Sequence, residues 1–297
     1  MRGKVSSQKI DDFQAIYAEV QRTADEVGAC DPQWLKSREP LSFSTVELPL
    51  AEQDPAKPDL VLLHGLLGAL SNWDAVFPLM GQFSRPIALS LPILSGHRSE
   101  VKVKALSAYT EFFVRSRSIA PVTLCGNSLG GHVAMRFCLA RPELVDCLIL
   151  SGTSGLYEHS VDTLPVRPDR KFLREHMGRV FRQPRFITDE RIEEIYSIVT
   201  KRMNVLNLIH AARSAKRDNL LHVLKEIKVP VLLLWGEDDE VTTMQVAEMF
   251  HKHLPNAELV SIKDCGHAPM IEYPEWFAEN VAAFLKKHSR FHKQTAE

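Results

Sequence analysis

From residue 59 onward, short apolar runs recur along the chain, each closed by glycine, proline or a polar residue. They read "DLVLLHG", "PIALSLP", "PVTLCG", "CLILSG", "VPVLLLWG" and "ELVSI". Runs without polar alternation suit strands buried on both faces, as in a parallel sheet. Most are separated by stretches of helical periodicity, around 105–117, 129–140, 243–254 and 274–287. Strand, helix, strand in repetition predicts an α/β fold built on a doubly wound, mostly parallel sheet. No internal repeat or low-complexity tract interrupts it.

The rhythm breaks once. Residues 154–228 hold no convincing core strand, although a crossover normally needs only a few helical turns. Instead "DRKFLREHMGRVF", "TDERIEEIYSIVTKRM" and "NLIHAARSAKRDNLLHVL" are charged and helical in pattern. This segment is expected to be a helical cap, lying over the carboxyl ends of the strands, where such sheets bind ligands. Ahead of the sheet, Ile10, Phe13, Ile16, Tyr17, Val20 and Val27 fall at helical spacing. They predict one amphipathic helix whose apolar stripe docks on the body of the protein, followed by the proline-punctuated connection "PLAEQDPAKPD". The expected organisation is an N-terminal helix and connection over 1–42, a core over 43–153 and 229–297, and the cap between.

Composition narrows the function classes. The 297 residues carry 36 basic and 37 acidic side chains, so no basic excess calls for nucleic acid. No apolar run approaches a membrane span. The N-terminal stretch lacks the apolar region of a secretory signal. Five scattered cysteines (Cys30, Cys125, Cys138, Cys147, Cys265) form no CxxC pair, which fits a reducing, cytoplasmic compartment.

The chemistry centres on "PVTLCGNSLGGHVA" at 121–134. Gly126-Asn127-Ser128-Leu129-Gly130 fits G-x-S-x-G with a strand before it and a helix after it. In a tight strand-to-helix turn, the residues two before and two after the serine approach closely and leave no room for side chains. The serine is forced into an uncommon backbone conformation that raises its oxygen above the sheet. A phosphate-binding turn is the rival, but Gly126-x-Ser128 breaks the dinucleotide pattern and no GK[ST] follows.

A serine hydroxyl becomes a nucleophile only when a base takes its proton and an acid orients that base. Both types stand just past later strands: Glu237, Asp238, Asp239 and Glu240 after "VPVLLLWG", and His267 after "ELVSI". An oxyanion pocket of backbone N–H groups is also needed. Leu129, directly after the nucleophile, and Leu66, in the loop following "DLVLLHG", are the candidates. His64 ends a strand before a glycine, which favours a structural hydrogen-bonding role over a second base. His251 and His253 are two apart on a helix and face different directions, so they make no metal pair.

On these residues the chain resembles the α/β-hydrolase fold family over about 43–290, through "HGLLGALSNW", "GNSLGGHVA", "WGEDDEVT" and "CGHAPMIEYPEWF". The resemblance implies the order Ser, Asp, His, a cap inserted between the sixth and seventh strands, and an acid third after the glycine of WGxxD. That spacing selects Asp239 over Asp238. Serine at the elbow separates the chain from dehalogenase and epoxide hydrolase branches that use aspartate there. "GNSLGG", "SNW" and the helical cap also resemble hydrolases that cut carbon–carbon bonds of ring-cleavage diketones. In those enzymes an asparagine beside the serine and a cap arginine bind substrate, roles open here to Asn127 and to Arg202 or Arg213. Two departures stand against that branch: the short "HGLLG" loop and Ala268 after the histidine.

The expected activity is therefore a serine hydrolase with Ser128, His267 and Asp239 as triad. No cofactor or metal is required, and the partner is a small, fairly apolar ester. Cleavage of ring-cleavage diketones is one alternative. A non-catalytic ligand receptor on the same fold is the other.

Overall fold

A computed structural model describes residues 7–26, 28, 32–37, 41–49, 52–157 and 168–291. Cys30, Val27 and the side chains of Ile10 and Phe13 lie outside the described residues. Seven strands form one sheet: β1 (Thr45–Glu47), β2 (Asp59–Leu63), β3 (Arg85–Leu89), β4 (Val122–Asn127), β5 (Val145–Ser151), β6 (Val231–Gly236) and β7 (Ala257–Ile262). Their order is β1-β3-β2-β4-β5-β6-β7, parallel throughout except where β1 pairs antiparallel with β3. Every residue of β4, β5 and β6 is buried, as strands covered on both faces require.

Eight described helices have ten or more residues: α1 (Ser7–Glu26), α2 (Val103–Arg117), α3 (Leu129–Ala140), α4 (Arg170–Val180), α5 (Asp189–Val199), α6 (Arg202–Arg217), α7 (Met244–His253) and α8 (Pro274–His288). Helices α1, α2 and α3 pack in succession, and α3 lies on β4 and β5. Helix α8 packs on β5 and β6 from the other layer, with the short helix Phe77–Met80 beside it. The amphipathic N-terminal helix docks on the body of the protein, as its stripe predicts. Tyr17 and Val20 are buried, and the Tyr17 ring lies 4.6 Å from that of Phe112 on α2. Polar groups complete the seam: Thr23 Oγ1 donates to the buried carboxylate of Glu111 at 3.1 Å, which also accepts from Arg115 Nε at 2.8 Å.

The helical segment after β5 contains α4, α5 and α6. With seven described strands, it is flanked by the fifth and sixth, one lower than the family count that the resemblance implies. Three details differ from the apolar pattern. Strand β1 has no counterpart among the apolar runs, because three half-exposed residues carry too little periodicity. Strand β7 is only half-buried along its length, because it is an edge strand with a single neighbour. Helix α6 starts at Arg202, with an extended Lys201 as its cap, so Arg202 and Met203 belong to this helix and not to the preceding one. No described helix is long and apolar enough to cross a membrane.

One ion cluster ties the end of α6 to the core. Asp218 takes a two-pronged contact from Arg136 on α3, with Nε and Nη2 at 2.7 and 2.6 Å, and His132 Nε2 lies 3.2 Å away. Burial works to raise the Asp218 pKa, but the hydrogen bonds and charges of His132 and Arg136 outweigh it and hold the carboxyl at about 2. A carboxyl depressed from 3.8 to about 2 contributes stability above the higher value and loses it as pH falls through the lower. Asp218→Asn is expected to cost about 2 kcal/mol at pH 7. The gap between variant and native protein should narrow from pH ~4 and close near pH ~2. Urea unfolding across that range measures it, and a gap that stays constant with pH would remove the ion cluster from the account.

Candidate active site

Strand β4 ends at Asn127 and α3 begins at Leu129, so Ser128 alone makes the turn. Its φ of 54° and ψ of −119° lie where residues with side chains rarely sit. Backbone bonds hold it there. The Ser128 N–H donates to the Ser151 carbonyl at the end of β5 (3.0 Å), and its carbonyl accepts from Ser154 N–H (3.1 Å). The flanking glycines are a steric requirement. A Cβ on Gly126 would stand 2.4 Å from the Gly130 carbonyl carbon, and one on Gly130 would stand 2.1 Å from the Leu63 carbonyl oxygen. Both obstacles are backbone, so no side-chain rotation relieves them.

Asp239 and His267 come from the loops after β6 and β7. His267 Nδ1 lies 2.8 Å from Asp239 Oδ2, and both residues are buried. The second carboxylate oxygen accepts from the N–H groups of Val241 (2.8 Å) and Thr242 (2.9 Å). Thr242 Oγ1 also donates to Oδ2 at 3.0 Å. A carboxylate filled in this way is fixed in orientation and holds the imidazole with it. The neighbouring Asp238 is different: its side chain is 42% exposed and faces Arg182 at 3.6 Å. Geometry thus separates the two aspartates as the WGxxD spacing does. Among the described residues Ser128 Oγ makes no hydrogen bond to His267; the two line the same cavity.

The loop carrying His267 is clamped from several sides. Its N–H donates to the Val180 carbonyl at the end of α4 (2.7 Å), and its carbonyl accepts from Asn127 Nδ2 (3.0 Å). The buried carboxylate of Glu272 bridges Gly266 N–H (2.7 Å) and Gln183 N–H (2.8 Å). Asn127 therefore spends its amide on two carbonyls, those of Ser151 and His267, although it also borders the cavity. Thr242 and Glu272 are not among the residues singled out by sequence, because nothing in their local pattern distinguishes them from other loop and helix residues.

Across the cavity, Leu66 follows β2 and Leu129 opens α3. Among the described residues their backbone N–H groups donate no hydrogen bond, as groups left for a ligand would not. His64 shapes the Leu66 loop. Its Nδ1 contacts the Gly65 carbonyl at 2.8 Å and its Nε2 accepts from Leu91 N–H at 3.0 Å. Burial lowers its pKa, against the opposing effect of the Gly65 bond, and because Nε2 accepts from Leu91 it is Nδ1–H that donates to Gly65. The structural role expected from its position is what the contacts show.

The cavity holds about 430 Å³ and is walled mainly by apolar groups, among them Leu67, Leu173, Met177, Phe181, Ile195 and Ile271. The cap arginines named from the sequence are not part of this wall. Arg202 and Arg213 lie exposed on α6, because the faces turned to the cavity carry Ala212 and Ala215. Arg191 of α5 reaches it instead, with its guanidinium 5.2 Å from the Phe181 ring centroid. His176 of α4 is a further polar group there. Burial first, and then the charges of Arg179 and His267, push its pKa down.

The comparisons agree with this architecture. The sequence matches the Alpha/beta hydrolase family over residues 60–280. A pimeloyl-[acyl-carrier protein] methyl ester esterase of Nitrosomonas europaea is 30% identical over 237 residues, covering 74% of this chain and 92% of the relative. A 2-hydroxy-6-oxononadienedioate/2-hydroxy-6-oxononatrienedioate hydrolase of Burkholderia vietnamiensis is 27% identical over 254 residues, 77% of this chain and 87% of the relative. Among solved structures, MGS-MChE2, an alpha/beta hydrolase enzyme from the metagenome of lagoon sediments at Mar Chica, Morocco, superposes with a TM-score of 0.67. It is 30% identical, with 84% of this chain and 97% of that one covered. With a family match across most of its length, this chain belongs to the alpha/beta hydrolase family.

Proposed function

We propose that this chain is a serine hydrolase acting on small, fairly apolar carboxylic esters, with Ser128 as nucleophile, His267 as base and Asp239 as the group that orients it. One observation carries the reading. A single apolar cavity is bordered by a serine held on a positive-φ turn, by Leu66 and Leu129, and by an imidazole whose Nδ1 is already engaged by a buried carboxylate. With Nδ1–H committed to Asp239, Nε2 is the lone-pair nitrogen left for the serine proton.

In the proposed reaction, Ser128 Oγ adds to the ester carbonyl as its proton passes to His267 Nε2. The carbonyl oxygen becomes an oxyanion, held by the Leu66 and Leu129 N–H groups. Collapse expels the alkoxide, which leaves as the alcohol with the proton from His267. Water then gives a proton to the same nitrogen, adds to the acyl-serine, and releases the acid and free Ser128. Asp239 keeps its hydrogen bond to Nδ1 throughout and stabilises the transient imidazolium. Cys125, Cys138 and Cys265 are buried and form no disulfide among the described residues, which supports the cytoplasmic location expected from the sequence.

Hydrolysis of p-nitrophenyl esters of increasing acyl length tests this. The optimum is expected among short and medium chains that a cavity of about 430 Å³ can hold. Ser128→Ala is expected to lower kcat by at least about 10³-fold. A variant that keeps full turnover would sink the proposal.

A second reading, carbon–carbon bond cleavage, draws support from Arg191 in the cavity wall and from the diketone-hydrolase relative. On the ester reading, Arg191→Gln leaves kcat/KM for an uncharged ester within about threefold, since no substrate charge meets the guanidinium. Cleavage of a dienol diketone by the native protein, abolished in Arg191→Gln, would transfer the assignment to that class.

A further inference from the structure

A second cavity, of about 550 Å³, lies on the other side of α6 and takes no part in the chemistry above. Its walls carry Arg98 and Lys102 from the segment before α2, Lys104 from the first turn of α2, and His210, Arg213 and Arg217 from α6. The two cavities share the helix without sharing residues: Ala212 and Ala215 line the first, Arg213 and Arg217 the second.

The charge here is local and unbalanced. The chain as a whole has 36 basic and 37 acidic residues, yet among the described residues this wall has Arg98, Lys102, Arg213 and Arg217 against a single carboxylate, Asp218. That carboxylate is already held by Arg136 and His132. Arg98, Lys102, Arg213 and Arg217 make no ion pair among the described residues. The positive field is felt within the cavity itself. The His210 pKa is lowered, by burial and then by the charges of Arg98, Arg213 and Lys102.

Like charges gathered from two separate elements repel, and folding gains nothing by assembling them without a counter-charge. A lone carboxylate would leave most of the cations unmatched. A chain of phosphates presents several anionic charges and many acceptor oxygens within a few ångströms. It suits mixed Arg forks and Lys point charges, and a cavity of this size accommodates it.

We propose that this second cavity is a binding site for an oligophosphate group, whether of a free polyphosphate or of a nucleotide, gripped by Arg98 and Lys102 from one side and Arg213 and Arg217 from the other.

Isothermal titration calorimetry of the full chain at fixed ionic strength tests the site, with sodium tripolyphosphate and adenosine triphosphate as separate probes. The native protein is expected to bind with saturable, one-to-one stoichiometry. Arg98→Glu and Arg213→Glu, on different elements, are each expected to weaken binding by at least about tenfold. Lys252→Glu, an exposed cation on α7, should leave it unchanged. Because reversing one charge in a repelling cluster relieves repulsion, both variants should melt no lower than the native protein, which checks their fold. Equal affinity for the two probes assigns recognition to the phosphate chain, and tighter binding of the nucleotide adds a contact to the nucleoside. Absence of saturable binding to either probe, or an equal loss in Lys252→Glu, would overturn the proposal.

Discussion

There is no space for a side chain at residues 126 and 130, and the site is organised around that exclusion. The turn from β4 into α3 is so tight that any Cβ at these positions would run into backbone, at 2.4 Å for Gly126 and 2.1 Å for Gly130. Only because both are glycine can α3 start against the ends of β2 and β4, with Ser128 left at a φ of 54°. The strained conformation persists because the surrounding sheet over-determines it, through the bonds to Ser151 and Ser154. Placement of the hydroxyl is thus a property of the packed sheet and owes little to the loop itself.

The imidazole is positioned by the opposite strategy. His267 sits on a loop, and polar contacts converge on it from distant parts of the chain: Asp239 on the ring, Val180 on the N–H, Asn127 on the carbonyl. Each contact is a modest hydrogen bond, but several on one short segment leave it little freedom. Ser128 and His267, the proposed nucleophile and base, are therefore held by different physics, steric exclusion for one and a buried polar network for the other.

What can be read from the sequence follows the same division. Glycines at a strand-to-helix boundary have few interpretations, so Ser128 and the run of buried strands are legible in the order of residues alone. Asp239 is singled out from its acidic neighbours only by the family resemblance, and the structure distinguishes it from the exposed Asp238. Side chains that meet only in three dimensions are not. Thr242, Glu272 and Arg191 have no local signature, and Arg202 and Arg213 look equally suited to a cavity until the rotation of α6 is known. Strand β1 stays hidden because three residues at a sheet edge carry no pattern to detect.

The clamp around His267 also constrains how the cap can move. The Val180 carbonyl binds the His267 N–H, and Glu272 joins the Gln183 and Gly266 N–H groups, so the C-terminal end of α4 is stitched to the loop that bears the imidazole. Lifting the cap at this corner would drag the ring from Asp239. Helix α6 is tied down in its turn, by the Asp218 cluster and by Val103 N–H donating to Ser214 Oγ at 3.1 Å, so the cap is anchored to the core at both of its ends.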